Sequence, residues 1–396
     1  MALSMTAPNP RIYLDNAATS WPKPETVYRA VDHYQRALGA AAGRSHYREA
    51  AEAARLVAET RQRLARLIGA ASGGHVVFAA NGTDAINLAL QGLLREHDHV
   101  VTTETEHNSV LRPLRHLEKH RHIALTVLPC DREGIVAPDD VRRAIGARTR
   151  LVAMIHASNV TGALQPVAEV GAIAATCGVP LFVDAAQSAG HVPIEAAAWH
   201  ISMLAAPGHK GLLGPLGTGL LYVAPELAGQ LTPIRQGGTG THSESDQQPN
   251  GYPEGYEPGN VNVPGIVGLN AGLQYLDNQG IESLRRHEQG LTARLLEGVS
   301  SVRGVSVLGP KTAAKRVGVV SITIDGYDPQ EVAAMLDATH SIQVRSGLHC
   351  AARIHAALGT LDRGGAVRFS TGPFNTLEQI DLTVRSVAEI AAIHPA

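Results

Sequence analysis

Between about residues 76 and 223 short apolar runs alternate with amphipathic stretches, and this alternation constrains the fold more than any other feature. The runs cover residues 75–80, 99–103, 124–128, 151–155, 181–183, 201–205 and 219–223. Each is too short for a helix and rich in Val, Ile and Leu, as expected of a strand buried on both faces. Helical patterns fill several of the gaps, at 83–95, 109–120 and 167–177. Strands alternating with helices predict an α/β architecture with a mainly parallel sheet covered on both sides. Ligands in such sheets gather at the carboxyl ends of the strands. That singles out Asn81-Gly82-Thr83, Glu106-His107, Asn159, Asp184 with Gln187, and His209-Lys210.

From residue 236 to 264 the texture changes to Gly, Pro, Ser and Gln with little periodicity, a loop long enough to be either functional or disordered. Beyond it the pattern predicts helices at 264–279, 281–299, 329–339 and 376–393. Strands are predicted at 305–308, 317–324, 342–345 and 367–370, so the C-terminal part reads as a second, smaller α+β domain. A chain of 396 residues that is 44% hydrophobic has material for one large core and a smaller one. Its formal charge of −2 provides no field for nucleic acid or an anionic membrane. No segment approaches the ~18 consecutive apolar residues of a membrane span, and residues 1–11 lack the apolar core of a signal peptide, so a cytoplasmic location is expected. Cys130, Cys177 and Cys350 are an odd, widely spaced set that fits neither a disulfide framework nor a zinc knuckle.

Lys210, in Ala205-Ala206-Pro207-Gly208-His209-Lys210-Gly211, follows a predicted strand. A buried lysine whose pKa is lowered can attack a carbonyl and hold an aldehyde cofactor as a Schiff base; the alternative is a solvated loop lysine. Asp184 ends a run where a carboxylate needs a partner, either a protonated pyridine nitrogen or the amides of the next helix. Asn81-Gly82-Thr83-Asp84 opens a helix, which makes either a phosphate seat or a plain N-cap. His107 is placed to stack on a planar ring and move protons, or to serve structurally. Cys350 is a nucleophilic thiol or an inert small hydrophobe. His116 and His120 have metal-ligand spacing, but no third ligand motif accompanies them, so a solvated face is the better reading. Residues 214–219 are glycine-rich but precede a strand, where a dinucleotide loop follows one, and read as a turn past the site.

Taken in order along the chain, seven segments resemble the class V branch of the aspartate aminotransferase superfamily, most closely the cysteine desulfurases and selenocysteine lyases. They are Tyr13-Leu14-Asp15-Asn16-Ala17-Ala18-Thr19, Asn81-Gly82-Thr83-Asp84-Ala85-Ile86-Asn87, Glu106-His107-Asn108-Ser109, His156-Ala157-Ser158-Asn159-Val160-Thr161-Gly162, Val183-Asp184-Ala185-Ala186-Gln187-Ser188, Gly208-His209-Lys210 and Val344-Arg345-Ser346-Gly347-Leu348-His349-Cys350-Ala351. The resemblance runs from about residue 11 to 392. It implies fold type I of the pyridoxal 5'-phosphate (PLP) enzymes, with a seven-stranded sheet. A large domain is expected at 21–255 and a small one at 1–20 plus 256–396.

The resemblance also implies roles. Lys210 carries PLP, Asp184 contacts its ring nitrogen, Gln187 its phenolic oxygen, and His107 stacks on the ring. Gly82, Thr83 and His209 bind phosphate, Asn159 contacts cofactor and substrate, and Arg368 grips the substrate carboxylate. Cys350 receives the sulfur of L-cysteine or the selenium of L-selenocysteine, releasing L-alanine. Arg345 is a candidate substrate-binding residue and, with His349, a candidate cation beside the thiol, on a short Cys loop like that of the second desulfurase group. A homodimer, a small amino-acid substrate, a sulfur-acceptor protein and no metal are implied. Asn260 is implied as a cofactor-binding residue that donates to the neighbouring subunit's phosphate, where the family commonly has a Thr, and Pro207 stands where a Ser or Thr often touches phosphate. The loop at 237–241 is placed near the subunit boundary. Other outcomes of the same chemistry remain open: a lyase, epimerase or aminotransferase acting on another amino acid, or an inactive scaffold of this fold.

Overall fold

The computed structural model describes residues 11–43, 45, 47–70 and 75–393. Residues 1–10, most of the segment that lacks a signal-peptide core, and the terminal residues 394–396 of the expected small domain lie outside them. Strand β1 (Ile12–Tyr13), helix α1 (Glu25–His33), a π-helical turn at Tyr34–Leu38 and α2 (Arg48–Leu67) come first. Then follow β2 (Val76–Ala79), α3 (Gly82–Leu93), β3 (His99–Thr103), α4 (Asn108–Arg121), β4 (Ala124–Leu128), α5 (Pro138–Ala144), β5 (Thr149–Ile155), α6 (Val167–Thr176), β6 (Leu181–Asp184), β7 (Ile201–Pro207) and β8 (Gly219–Val223).

Seven strands form one sheet in the order β2-β8-β7-β6-β5-β3-β4. β8 runs antiparallel to both of its neighbours and every other pairing is parallel. Alternate residues of each strand face opposite sides. Val76, Phe78, Val152, Val183 and Leu204 enter one apolar core with α2 and α6. Val77, Ala79, Ala153, Phe182 and Met203 enter another with α3 and α4. Burial on both faces is why these strands read as continuous apolar runs.

The C-terminal part contains α7 (Val263–Gln279), α8 (Ile281–Ser300), β9 (Val305–Leu308), β10 (Val319–Ile324), α9 (Pro329–His340), β11 (Ile342–Gln343), β12 (Arg345–Gly347), α10 (Ala352–Ala357), β13 (Ala366–Ser370) and α11 (Leu377–Ile393). A four-stranded sheet, β12-β13-β10-β9, is antiparallel throughout. It shares a core with α8, α9, α11 and with Ile12 and Leu14 from the other end of the chain. Two details depart from the sequence expectation. The run 342–345 is not one strand: β11 pairs with β1 in parallel, while β12 joins β13, so the chain changes sheets at Val344. Helix α7, on the small-domain side of the expected boundary at 255, buries Val263, Ile266, Leu269, Leu273 and Leu276 in the core of the large sheet. No helix of the described residues is long and apolar enough to cross a membrane.

The turn after β7 is packed too closely to accept a side chain at Gly208. A Cβ there meets Thr218 Oγ1 at 2.1 Å and Thr218 Cβ at 2.9 Å, and Thr218 is itself buried and hydrogen-bonded to the Pro215 carbonyl at 2.6 Å. Gly208→Ala is therefore expected to cost about 1–3 kcal/mol, the usual range for overpacking. Thermal unfolding checks this, and the double variant Gly208→Ala/Thr218→Ala should recover part of the loss. An unchanged midpoint in the single variant contradicts the packing reading.

Candidate active site

The carboxyl ends of β2, β3, β5, β6 and β7 surround a cavity of about 540 Å³. Asn81, Gly82, Thr83, His107, Asn159, Asp184, Gln187, Pro207, His209 and Lys210 all line it. Asn81 acts as N-cap of α3, its side chain accepting from the Asp84 amide at 2.9 Å. The next amides, of Gly82 and Thr83, belong to the first turn, whose N-H groups have no partner within the helix and carry the positive end of its dipole.

A hydrogen-bonded chain links this helix end to His107. Thr83 Oγ1 and Ser109 Oγ are 2.7 Å apart, and Ser109 Oγ lies 2.9 Å from His107 Nδ1. The Ser109 amide donates to that same Nδ1 at 3.0 Å, so the proton of the neutral ring sits on Nε2. Burial, then the charges of Lys210 and Arg368, push His107 down to about 4 and keep it neutral at physiological pH.

Asp184 is 2% exposed, and one carboxylate oxygen accepts from the Ala186 amide at 2.9 Å. Burial raises its pKa, against the lowering effect of that amide and of Lys210. It therefore does cap the following turn, yet a single backbone donor is meagre compensation for a buried carboxylate. Gln187 is held by its side-chain amide, which donates to the Ala17 carbonyl at 2.9 Å. Lys210 is half-buried at the wall of the cavity, and burial, then Arg368, lower its amine to about 8, with Asp184 opposing.

The turn carrying Lys210 is gripped by a segment whose contacts the sequence does not suggest. The His209 carbonyl accepts from the Ser20 amide at 3.1 Å, Thr19 Oγ1 at 3.1 Å and Lys23 Nζ at 2.7 Å, while Ser20 Oγ donates to the Lys210 carbonyl at 2.9 Å. Thr19 closes the motif at 13–19, and Ser20 and Lys23 directly follow it. The His209 ring is pushed down to about 4 by burial and by Lys210 and Lys23, and its Nδ1 is buried without a partner.

Arg368, on β13 and 3% exposed, comes from the small sheet. One terminal nitrogen donates to Asp15 Oδ1 at 2.8 Å and the other to the Asn159 carbonyl at 3.1 Å. Its Nε and the side-chain oxygen of Asn159 are buried and unpartnered. Arg345 is paired directly opposite Arg368 on β12 and is exposed.

Cys350 is exposed on the loop before α10, its carbonyl accepting from the Asn108 amide at 2.8 Å. It borders a second cavity of about 490 Å³ that shares Thr83, His107 and Ser109 with the first. Cys130 is half-buried with its thiol pushed up to about 11, first by burial, and Cys177 is exposed at the end of α6.

His349 does not serve as a cation beside the thiol. Burial, then Arg368 and His355, hold its ring down at about 2, so it is neutral. Asn260 lies outside the Lys210 cavity and borders a separate one with Thr239, Thr241 and Glu257. The rings of His116 and His120 are 4.3 Å apart, and the described residues hold no group of three or more metal-ligating side chains.

Unpartnered polar atoms of His209, Asn159 and Arg368, a carboxyl with one donor, a recessed amine and a helix N-terminus suit a phosphorylated aromatic aldehyde better than an apolar ligand. The model of the aminotransferase class-V family matches residues 12–383. The chain is 38% identical to a probable cysteine desulfurase of Methanothermobacter thermautotrophicus, covering 96% of this chain and 95% of that protein. With a cysteine desulfurase of Salmonella agona it shares 31% identity, over 97% and 94% of the two chains. An apo cysteine desulfurase from Thermococcus onnurineus superposes with a TM-score of 0.90 at 36% identity, over 97% of this chain and 95% of that one. The S-sulfonic acid form of the Escherichia coli cysteine desulfurase CsdA does so with a TM-score of 0.86 at 27% identity, over 97% and 95%.

The lowered amine of Lys210 has a kinetic sign. The neutral, nucleophilic form grows as pH rises, so condensation of cofactor-free protein with a small aldehyde should accelerate about tenfold per pH unit below the pKa and level off above about 8. Stopped-flow absorbance across the pH range checks it. A rate that keeps climbing to the ordinary lysine value of 10.5 contradicts the effect of burial.

Proposed function

The chain belongs to the class-V aminotransferase family, and from that membership we propose that it is a PLP-dependent cysteine desulfurase. In this reading it converts L-cysteine, or L-selenocysteine, to L-alanine and keeps the sulfur as a persulfide on Cys350. The observation that carries the proposal is the pair of adjoining cavities: Lys210, Asp184 and His107 in one, Cys350 on the other, with Thr83, His107 and Ser109 as their common wall.

Lys210 would hold the cofactor through its lowered amine, and its Nζ is the group placed to carry a proton beside it. Asp184 meets the pyridine nitrogen, an interaction that supplies the counter-charge its burial lacks. Gln187 serves the phenolic oxygen, and His107 lies against the ring with its proton on Nε2. Gly82 and Thr83 at the N-terminus of α3, together with His209, receive the phosphate. Ser109, whose hydroxyl touches Thr83, supplies the hydrogen bond that Pro207 cannot make. When bound, PLP supplies an electron sink that weakens bonds around the substrate Cα.

Arg368 takes the substrate carboxylate by a two-pronged contact, with Asn159 beside it, and the carboxylate shares or replaces the place that Asp15 occupies on the guanidinium. The Cys350 thiolate attacks the substrate sulfur: an S–S bond forms, the substrate C–S bond breaks, and a proton replaces sulfur on the departing carbon. Arg345, exposed on the adjoining strand, and Arg112, which borders the thiol's cavity, are cations available to the thiolate with His349 neutral. A protein thiol then accepts the persulfide sulfur. We read the chain as a cytoplasmic homodimer, with Asn260 reaching the partner's phosphate and the 237–241 loop near the subunit boundary.

Product analysis tests this. With PLP, L-cysteine and a thiol reductant, the protein should yield alanine and sulfide, without pyruvate. Cys350→Ala should retain the cofactor's visible absorbance but lose alanine formation, and Lys210→Ala should lose both. Pyruvate as the main product, or full desulfuration by Cys350→Ala, overturns the assignment of the thiol.

A further inference from the structure

The residue before the thiol rests on buried polar groups for which the chemistry above has no use. His349 and Cys350 are consecutive non-glycine residues with φ of 51° and 57°. Such residues seldom adopt this left-handed conformation, and it persists where the surroundings over-determine it. The two carbonyls are tied by amides: Asn159 Nδ2 donates to His349 at 2.6 Å and the Asn108 backbone donates to Cys350 at 2.8 Å.

The imidazole is tied from behind. His349 Nδ1 lies 3.4 Å from His355 Nε2, with the two rings stacked 5.6 Å apart, and His355 Nδ1 lies 2.8 Å from Thr360 Oγ1. Exposure of the three residues is 5%, 0% and 5%. His355 sits on α10, which Ala351 and Ile354 anchor against Val160, one residue past Asn159. The Thr360 amide donates to the His355 carbonyl at 2.8 Å and closes the turn.

Thr360 Oγ1 lies 2.8 Å from His355 Nδ1 and 3.3 Å from the His355 carbonyl, and the chain closes with neutral rings whichever way its protons run, one tautomer of each ring serving each sense. His349 Nε2 is buried and meets no partner at hydrogen-bonding geometry. Burial, then Arg368, keeps that ring neutral.

We propose that His355 and Thr360 are positioning residues for Cys350. The chain Thr360-His355-His349 pins the ring before the thiol, holds the consecutive left-handed pair in place, and so fixes the direction in which the thiol leaves the backbone toward the cavity it shares with His107. The inference rests on the reading of Cys350 as the sulfur-accepting group, but it is tested on the thiol itself.

Thr360→Val removes the oxygen at nearly constant shape, Thr360→Ser returns it, and His355→Leu removes the middle link. The readout is the rate at which iodoacetamide alkylates Cys350 in the holoenzyme at fixed pH, measured on peptides by mass spectrometry with exposed Cys177 as internal reference. Thr360→Val and His355→Leu should lower the Cys350 to Cys177 rate ratio by about threefold or more, the scale set by losing one neutral hydrogen bond. In the same variants kcat for desulfuration should fall with KM unchanged, and Thr360→Ser should restore both. If His355→Leu loses its cofactor absorbance through misfolding, the Val and Ser pair decides alone. An unchanged or raised alkylation ratio in Thr360→Val overturns the proposal. Retention of desulfuration by Cys350→Ala instead overturns the functional reading, while the alkylation ratio still decides whether the buried chain positions the thiol.

Discussion

The arrangement depends on keeping an amine and a carboxyl group out of water at the ends of two adjacent strands. Asp184 ends β6 in register with Ala205 of β7, and Lys210 follows three residues after β7 ends. Both groups suffer from desolvation in opposite senses: the carboxyl is raised and the amine lowered, so each moves toward its neutral form. An isolated ion of either sign there costs several kcal/mol. The apolar cores on the two faces of the sheet hold the strands rigidly enough to enforce that cost. Phe182, Val183 and Leu204, all fully buried, flank the site from below. A ligand with complementary charge and an electrophilic carbon relieves both groups at once, which is the physical sense in which the cavity is built for one.

The sheet alone does not finish the site. The loop that follows β5 and carries Asn159 is joined to the small sheet by Ser321 Oγ donating to the Val160 carbonyl at 2.6 Å, the Val317 amide to Gly162 at 2.9 Å and the Leu164 amide to Lys315 at 3.0 Å. Gly162 has φ of 72°, and a Cβ there falls 2.5 Å from the Val319 carbonyl, so the approach of the two parts requires glycine. Arg316, fully buried, braces the small-sheet side of the junction by donating to the Val319 and Pro310 carbonyls and has no anionic partner among its hydrogen bonds. Asn159 and Arg368, from different sheets, are thereby presented as one unit.

Much of this is legible in the sequence because it is local. The seven strands of the large sheet announce themselves as apolar runs, and the residues after five of them do line one cavity. Non-local features are not legible. Val344 marks a change of sheet because Ile342 must pair with Ile12, some 330 residues earlier, and no periodicity within 342–345 carries that information. The short helix α5 buries Val141 alone, too faint a stripe to be seen. Ser20, Lys23 and Asp15 act through partners far along the chain, so residue type gives no sign of them even though Asp15 stands inside a family-like segment. His349 differs from its expected role for the same reason: its neighbours in sequence suggest a cation, while its burial, then the nearby Arg368, forbids one.

The neutral state of His349 bears on how a thiol at this position is governed. Arginines supply positive charge on this side of the fold, and their charge does not change across the physiological range, whereas the His349 imidazole supplies none. Arg345 stands exposed on β12 opposite Arg368, and Arg112 borders the same cavity as the thiol. The His349 ring therefore adds no charge beside the thiol, and what it contributes is geometry: which way the side chain points, and how firmly the left-handed residues at 349 and 350 are held. The buried polar chain behind the loop, its two imidazoles neutral, acts on the thiol only through geometry.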